Sequence, residues 1–411
     1  MSISSKDIVS LDANDPLRHF RDEFHIRENL VYLDGNSLGM LPKRVLPRMK
    51  EALTEEWGEG LITSWLNADW VNSPSRVGDK IAKLIGADAG EVIVGESTSI
   101  NLFKALTAAL SLQPNRTVIL TETTNFPTDN YIMQGLSMFL DGKIEYKEVS
   151  PDSVCEALDE SVAVLLLTQV HYKTAKIRNL KEVTEKAHAA GALVVWDLSH
   201  STGAIEVDLN DAGADFAVGC GYKFLNGGPG APAYLFASKR HHSAQPVLSG
   251  WFGHAKPFDF TGNYEAAPNI NRFQCGTPPV LGISALECGV DLMLEANIAE
   301  VRAKSIALSE LFVNLVEELC GDFGFEFICP RDERERGSQV AFAHPHAYEI
   351  MQALKARDVI GDFRAPNIMR FGLTPLYLSY SDIAEAVQRL RTICIEREWN
   401  RPEYRTRAAV T

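Results

Sequence analysis

Three segments near the middle of the chain are apolar almost without interruption: residues 162–170 (VAVLLLTQV), 193–198 (LVVWDL) and 216–218 (FAV). A strand with one face in water alternates apolar and polar residues. One that is apolar throughout needs cover on both faces, which is the condition of a parallel sheet held between two layers of helices. The intervening sequence supplies the helices. Helical patterns at 77–85, after Ser97-Thr98 (Ile100, Phe103, Leu106 and Leu110 on one side), from Pro127 and over 179–190 alternate with strands expected at 91–95, 117–122 and the three apolar runs. The fold class expected is therefore α/β, a mostly parallel sheet flanked by helices, with 233–237 as one further strand.

The ends of the chain read differently. Residues 15–23 suggest a short helix, 30–34 (LVYLD) a strand and 42–57 another helix. Beyond the sheet, helices at 282–297 and near 298–319, a strand at 368–372 and a helix over 381–396 point to a smaller α+β domain at the C-terminus. We expect residues 1–60 to be an N-terminal segment packing on this small domain, 61–281 the large domain and 282–411 the small one.

A formal charge of −14 with no long basic run repels phosphate backbones and argues against nucleic acid or an anionic membrane as partner. No run of about 18 apolar residues predicts a membrane span, and the first twenty residues lack a signal-peptide pattern, so a cytoplasmic protein acting on a small molecule is expected. The seven cysteines (155, 220, 275, 288, 320, 329 and 394) form no C-x-x-C pair. They read as reduced thiols, and with His241-His242 and His344/His346 lacking a third ligand type, no metal is expected.

In open α/β sheets ligands sit beyond the carboxyl ends of the strands. The residues at those ends are Ser97 and Thr98, the turn Asn125-Phe126-Pro127-Thr128-Asp129, Thr168, Asp197 with His200, and Tyr222 with Lys223, which a glycine-rich turn (NGGPG, from Asn226) follows. A lysine delivered by a buried strand is where its amine is used, and in a partly dry pocket it can form a Schiff base with an aldehyde. Pyridoxal phosphate needs such a lysine, an acid to keep a proton on its ring nitrogen, a flat side chain against the ring, and N–H and hydroxyl donors for its phosphate. Separately, Gly35-Asn-Ser37-Leu-Gly39 fits the G-x-S-x-G pattern of a serine nucleophile, and Asp197 and His200 follow in the order a hydrolase triad requires. A serine hydrolase using Ser37 is thus a competing expectation, although such an elbow normally follows several strands.

The segments YLDGNSLGMLPK (from Tyr32), NFPTD (Asn125), VWDLSHSTGAIEVDL (Val195), DFAVGCGYKFLNGGPGAPAYLF (Asp215), GWFGH (Gly250), TPP (Thr277) and MRFGLTPLY (Met369) resemble the kynureninases. These are fold-type-I pyridoxal-phosphate enzymes of the aminotransferase class V group. The resemblance implies hydrolysis of L-kynurenine, and of its 3-hydroxy derivative less readily, to anthranilate and L-alanine in tryptophan catabolism. It implies that Lys223 carries the cofactor, Asp197 pairs with its ring nitrogen and Phe126 stacks on it. Ser97, Thr98, Asp129, Thr168, His200, Tyr222, Trp251 and Thr277 would complete its surroundings, with Trp251 and Thr277 coming from the partner of a homodimer. On the substrate side it implies Ser37, Trp65 and Arg370, the last gripping the α-carboxylate, and Tyr222 as a proton carrier. Where the animal enzymes have an asparagine and a histidine this chain has Thr277 and Trp65, as in the bacterial form. A class V aminotransferase or a cysteine desulfurase would share Lys223 and Asp197, the latter needing a catalytic cysteine for which Cys320 and Cys329 have only generic surroundings. A cofactor-binding regulator would need a DNA-binding element that the sequence lacks.

Overall fold

The computed structural model describes residues 5–407. Its strands are β1 Val31–Tyr32, β2 Val92–Val94, β3 Val118–Glu122, β4 Glu145–Val149, β5 Val162–Thr168, β6 Leu193–Asp197, β7 Phe216–Gly219, β8 Tyr234–Ala237, β9 Glu326–Phe327, β10 Gln339–Ala343, β11 Val359–Ile360, β12 Asp362–Arg364 and β13 Ile368–Gly372. Seven of them form one sheet in the order β2-β8-β7-β6-β5-β3-β4. Pairs β4/β3, β3/β5, β5/β6 and β6/β7 are parallel, while β8 runs antiparallel to both β7 and β2.

The apolar runs are buried on both faces, as their composition requires. In β5, Leu165 and Leu167 join a core shared with Val183 of the helix Leu180–Ala189 and with Ile81 and Ile283. Val164 and Leu166 point the other way, into a core with Leu102 and Met133. These come from the helices Thr98–Ser111 and Pro127–Phe139, which cover that face. Trp196 in β6 is fully buried, and its indole N–H finds the Thr184 hydroxyl at 3.2 Å, the partner a buried indole needs.

Several expectations need correction. Over 15–23 there is a 3-10 turn at Arg18–Glu23, with an α-helix before it at Ser5–Ala13. The helix read over 42–57 is α-helical at Val45–Glu51 and widens to a π-helix at Ala52–Glu59. The edge strand β4 was not expected, because Glu145, Tyr146 and Lys147 are all exposed and carry no apolar run.

A second sheet, ordered β12-β13-β10-β9 and antiparallel throughout, lies toward the C-terminus. Its cover includes the long helix Ile298–Cys320, with Phe312 against Phe371 (ring centroids 4.8 Å apart). The N-terminal segment is tied to this part of the chain. Strand β1 pairs in parallel with β11, Lys304 and Asp15 form a buried ion pair at 2.6 Å, and Arg21 reaches Asp382 at 2.6 Å.

Candidate active site

The carboxyl ends of the parallel strands open into a cavity of about 640 Å³. Ser97, Thr98, Phe126, Asp129, Thr168, Asp197, His200, Tyr222 and Lys223 all line it. Each arrives there for a local reason. Thr168 and Asp197 are the last residues of β5 and β6 and are paired in register, so their side chains leave the sheet together. Ser97 caps the helix Thr98–Ser111, its hydroxyl accepting the Ile100 N–H at 3.4 Å, which leaves Thr98 and the first helical N–H groups toward the cavity. Phe126 is the extended residue before Pro127 starts the next helix, and the residue is 38 % exposed.

Lys223 follows β7 and is buried. The turn after it needs left-handed backbone at Asn226 (φ 54°), Gly228 (φ 88°) and Gly230 (φ 72°), the last two affordable for glycine alone without strain. The Lys223 Nζ lies 3.0 Å from His200 Nε2, 5.8 Å from the centre of the Phe126 ring and 6.0 Å from that of Tyr222. Burial first, then the positive charges of Lys223, Arg370 and Arg364, hold His200 well below the usual histidine range. It is therefore a neutral imidazole accepting from the ammonium, and its buried Nδ1 has no hydrogen-bond partner.

Two acids lie close to this lysine. Burial raises Asp197, against the pull of Lys223, while its Oδ1 accepts the Ser199 N–H at 2.8 Å. Asp129 is pushed well up by burial and then by the charge of Asp197, and its Oδ1 has no partner. The Thr168 hydroxyl reaches Asn125 Oδ1 at 2.5 Å and Asp129 Oδ2 at 3.4 Å. Two fully buried acids share one ammonium, and Asp129 Oδ1 has no donor. Pyridoxal phosphate fits that deficit: a protonated ring nitrogen for Asp197, an aldehyde for Lys223, a ring face for Phe126, and a phosphate for the helix start at Thr98.

The remaining candidates are placed apart. Trp251 is 38 % exposed, packed edge-on against Phe252 and Phe258 and stacked over Phe260, outside the cavity lining. Trp65 sits in a neighbouring apolar hollow of about 420 Å³ with Trp57 and Trp70. Thr277 joins the two spaces, since it lines both.

Ser37 is no nucleophile. Its hydroxyl donates to Asp362 Oδ2 at 2.7 Å and accepts from Arg370 Nη2 at 2.9 Å, so an acid and two guanidiniums surround it in place of a histidine. The glycines of its motif serve contact. A Cβ on Gly39 would stand 2.3 Å from the Lys223 carbonyl oxygen, and the Gly39 N–H donates to the Tyr222 carbonyl at 2.7 Å. The GNSLG segment thus braces the lysine turn. Arg370 is fully buried and forks onto Asp362 through Nε and Nη2, with Nη1 on the Tyr172 carbonyl at 2.6 Å. Asp362, Arg364 and Tyr172, whose ring packs edge-on against Phe126 at 5.2 Å, carried no sequence signal. Cys320 and Cys329 are buried and their thiols pushed up to about 11 and about 12, the opposite of what a catalytic cysteine needs.

The chain is similar to known proteins over nearly its whole length. The chain is 48% identical over 99% of its length to a kynureninase of Burkholderia pseudomallei (strain K96243), 99% of which is covered. It is 49% identical over 95% of its length to one of Deinococcus radiodurans, 96% of which is covered. The chain belongs to the kynureninase family. Residues 301–390 match the model of the kynureninase C-terminal domain, and 59–214 that of the DegT/DnrJ/EryC1/StrS aminotransferase family. Among solved structures, a cysteine desulfurase from Thermococcus onnurineus NA1 superposes with TM-score 0.78 at 18% identity, covering 92% of this chain and 98% of its own. A C-DES variant with glycine covalently linked to its PLP cofactor does so with TM-score 0.77 at 16% identity, covering 90% and 98%. At those identities the likeness is one of fold, the fold-type-I architecture, and the kynureninase relatives decide against the hydrolase built on Ser37.

Proposed function

We propose that this chain hydrolyses L-kynurenine to anthranilate and L-alanine with pyridoxal phosphate as cofactor. The observation that carries the reading is the Lys223 ammonium beside neutral His200 and the buried pair Asp197 and Asp129, in a chain of this family. When bound, the cofactor supplies an electron sink for the pair left behind when a bond to the substrate's α-carbon breaks. Lys223 would hold its aldehyde, and its amine is the group that would move a proton at the substrate α-carbon. Asp197 holds a proton on the ring nitrogen. Thr98, Ser97 and the N–H groups behind them take the phosphate, and Phe126 covers one ring face. Thr168, Asp129 and His200 complete the walls, with His200 as an acceptor that keeps the Lys223 amine oriented. Tyr222, its phenol raised by burial and then by Cys220, stays protonated at neutral pH and so serves as a proton donor.

The assembly supporting this chemistry is a homodimer with shared sites. Ile62 (75 % exposed), Leu66 (80 %), Trp251 and Phe260 (75 %) leave more apolar surface in two neighbouring loops than one chain can cover. Trp251 would reach the partner's cavity, with Thr277, which also lines this chain's own cavity, at the seam between the two, and Trp65, its ring centre 6.0 Å from that of Phe252, travels with them. Trp65 and Thr277 offer the aryl ring an apolar wall and one hydroxyl, a setting that favours kynurenine over its 3-hydroxy derivative. The purified protein is expected to be yellow, to be fixed at Lys223 by borohydride, and to release fluorescent anthranilate from L-kynurenine. A yellow protein inert toward kynurenine would remove the activity and leave the fold.

A further inference from the structure

The helix Thr98–Ser111, whose start takes the phosphate in the reading above, carries a lysine nearly two turns in that this reading does not use. Lys104 is fully buried and lines the same cavity. Side chains on a helix lean toward its N-terminus, and this one runs back far enough to bring its ammonium to 3.7 Å from Oε1 of Glu96, the residue before the Ser97 cap. From Lys104 to Thr98 the axis rises about 9 Å, so a lysine laid along it delivers its charge near the helix start. The ammonium also donates to the Phe273 carbonyl at 2.8 Å, and Phe273 opens the segment through Thr277 that lines the cavity.

A buried lysine is costly unless its charge is met. The buried Lys304 meets Asp15 directly, at 2.6 Å. Lys104 is held differently. Its hydrogen bond goes to a neutral carbonyl, and Glu96, the one carboxylate within 4.0 Å of it among the described residues, is part-exposed and stands beyond hydrogen-bond distance. Part of the ammonium's charge is therefore left to the cavity. Glu96 is placed at a cost of its own, since its backbone is left-handed (φ 56°), a conformation glycine or asparagine takes more easily. The turn is pinned there: the Gly95 carbonyl accepts from Asn101 Nδ2 at 2.9 Å, and the Glu96 carbonyl accepts the Ala233 N–H at 2.9 Å. A carboxylate at this point sits by the helix end that attracts anions, and repels any phosphate arriving there.

We propose that Lys104 is a positioning residue for the cofactor's phosphate: its ammonium neutralises Glu96 at the helix start and gives that end of the cavity the positive potential that separates a phosphorylated ligand from its unphosphorylated form. The inference rests on the reading above in which the helix start at Thr98 takes the phosphate. It accounts for a lysine buried without a hydrogen-bonded acid, and for an acid set where an anion must bind. Without Lys104, the acids of the lining, Glu96, Asp129 and Asp197, face Lys223 alone. In a pocket shielded from water charges act over a longer range than at the surface, so Lys104 needs no contact with the phosphate to favour it.

The test titrates the full-length protein, freed of cofactor, with pyridoxal phosphate and with pyridoxal, which has the same ring and aldehyde but no phosphate. Absorbance of the Schiff base reads both affinities. We expect Lys104→Met, which keeps an unbranched chain in the buried site, to weaken pyridoxal phosphate about tenfold or more and to leave pyridoxal within about twofold of the parent. Glu96→Gln should tighten pyridoxal phosphate about threefold or more, and the double variant should regain most of what Lys104→Met lost. A role confined to packing, or to the Phe273 carbonyl, would weaken both ligands alike and would not be rescued at Glu96. Equal losses for the two ligands, an unchanged affinity for pyridoxal phosphate in Lys104→Met, or no recovery in the double variant would each overturn the inference. Should Lys104→Met fail to fold, Glu96→Gln decides alone, because that side chain is part-exposed: tighter pyridoxal phosphate with unchanged pyridoxal upholds the inference, and any other result overturns it. A parent protein that binds pyridoxal as tightly as pyridoxal phosphate would instead overturn the phosphate seat on which it rests.

Discussion

Replacing Asp197 by asparagine should move the stability of the cofactor-free protein and its hold on the cofactor in opposite directions. The substitution keeps the shape of the side chain and the oxygen that accepts the Ser199 N–H at 2.8 Å, and removes the charge. In the cofactor-free chain that charge is a burden. Burial raises Asp197 despite Lys223, and burial together with the Asp197 charge raises Asp129 well above the usual carboxylate range. An acid raised in the folded state contributes stability below its unfolded pKa and loses it as pH rises through the folded value, so both acids weaken the empty protein toward alkaline pH. Lys223 still has His200 and Asp129 when the charge is gone. The variant should therefore gain about 1–3 kcal/mol at pH 8, the scale of an undercompensated buried polar group, with a smaller gain at pH 6. With cofactor the sign reverses. Removing one partner of a buried charge pair costs about 3–5 kcal/mol, or roughly two to four orders of magnitude in affinity. Urea denaturation of the cofactor-free forms at both pH values, beside absorbance titration with pyridoxal phosphate, reads both effects. A cofactor-free Asn variant less stable than its parent at pH 8 would refute the reasoning, because it would mean that Lys223 needs Asp197 more than burial opposes it.

Two further substitutions test other parts of the structure. Gly39→Ala places a methyl 2.3 Å from the Lys223 carbonyl oxygen and 2.5 Å from Asn226 Oδ1, so the lysine turn must shift. We expect a protein that folds, shown by far-UV circular dichroism, but binds pyridoxal phosphate at least tenfold more weakly, a loss of about 1.4 kcal/mol or more. Asp215→Ala leaves Arg240, His188 and His241 without the carboxylate they share at 2.7, 2.8 and 2.7 Å and the buried Val194 N–H without its acceptor, and should cost about 1–3 kcal/mol by denaturant unfolding, since Arg240 and His188 are left exposed to water. Burial opposes the Asp215 charge, but bonds from both histidines, from Val194 and from Arg240 prevail and depress it. Its contribution is therefore present above the unfolded carboxylate value and lost as pH falls through the depressed one, and the variant's deficit should shrink in acid.

How far a residue can be read from the chain depends on the range of the interaction that places it. The run VAVLLLTQV already states that β5 is covered on both faces, because burial on two sides removes the period-two alternation from the strand itself. Strand ends are equally local, and they sufficed to collect Ser97, Phe126, Asp129, Thr168, Asp197, His200, Tyr222 and Lys223 around one cavity. The edge strand β4 escaped because an exposed strand needs no apolar run. Nor does anything in 234–237 announce that β8 runs antiparallel, since a strand buried on both faces looks the same in either direction.

The same division holds for single side chains. The chain by itself determined which residues meet at one cavity: a lysine after a buried strand, an acid at the end of the strand beside it, hydroxyls at a helix start. Which of those residues are free to act was settled by contacts between segments far apart in sequence. Ser37 looked like a nucleophile until Asp362 and Arg370 were found on its hydroxyl. Arg370 was expected to face a substrate carboxylate, and the fold puts Asp362 on its fork. The reason is physical: local sequence sets backbone conformation and the direction of a side chain. The charge and hydrogen-bond state of a buried group depends on whichever distant residues the fold brings against it, and no local pattern encodes them.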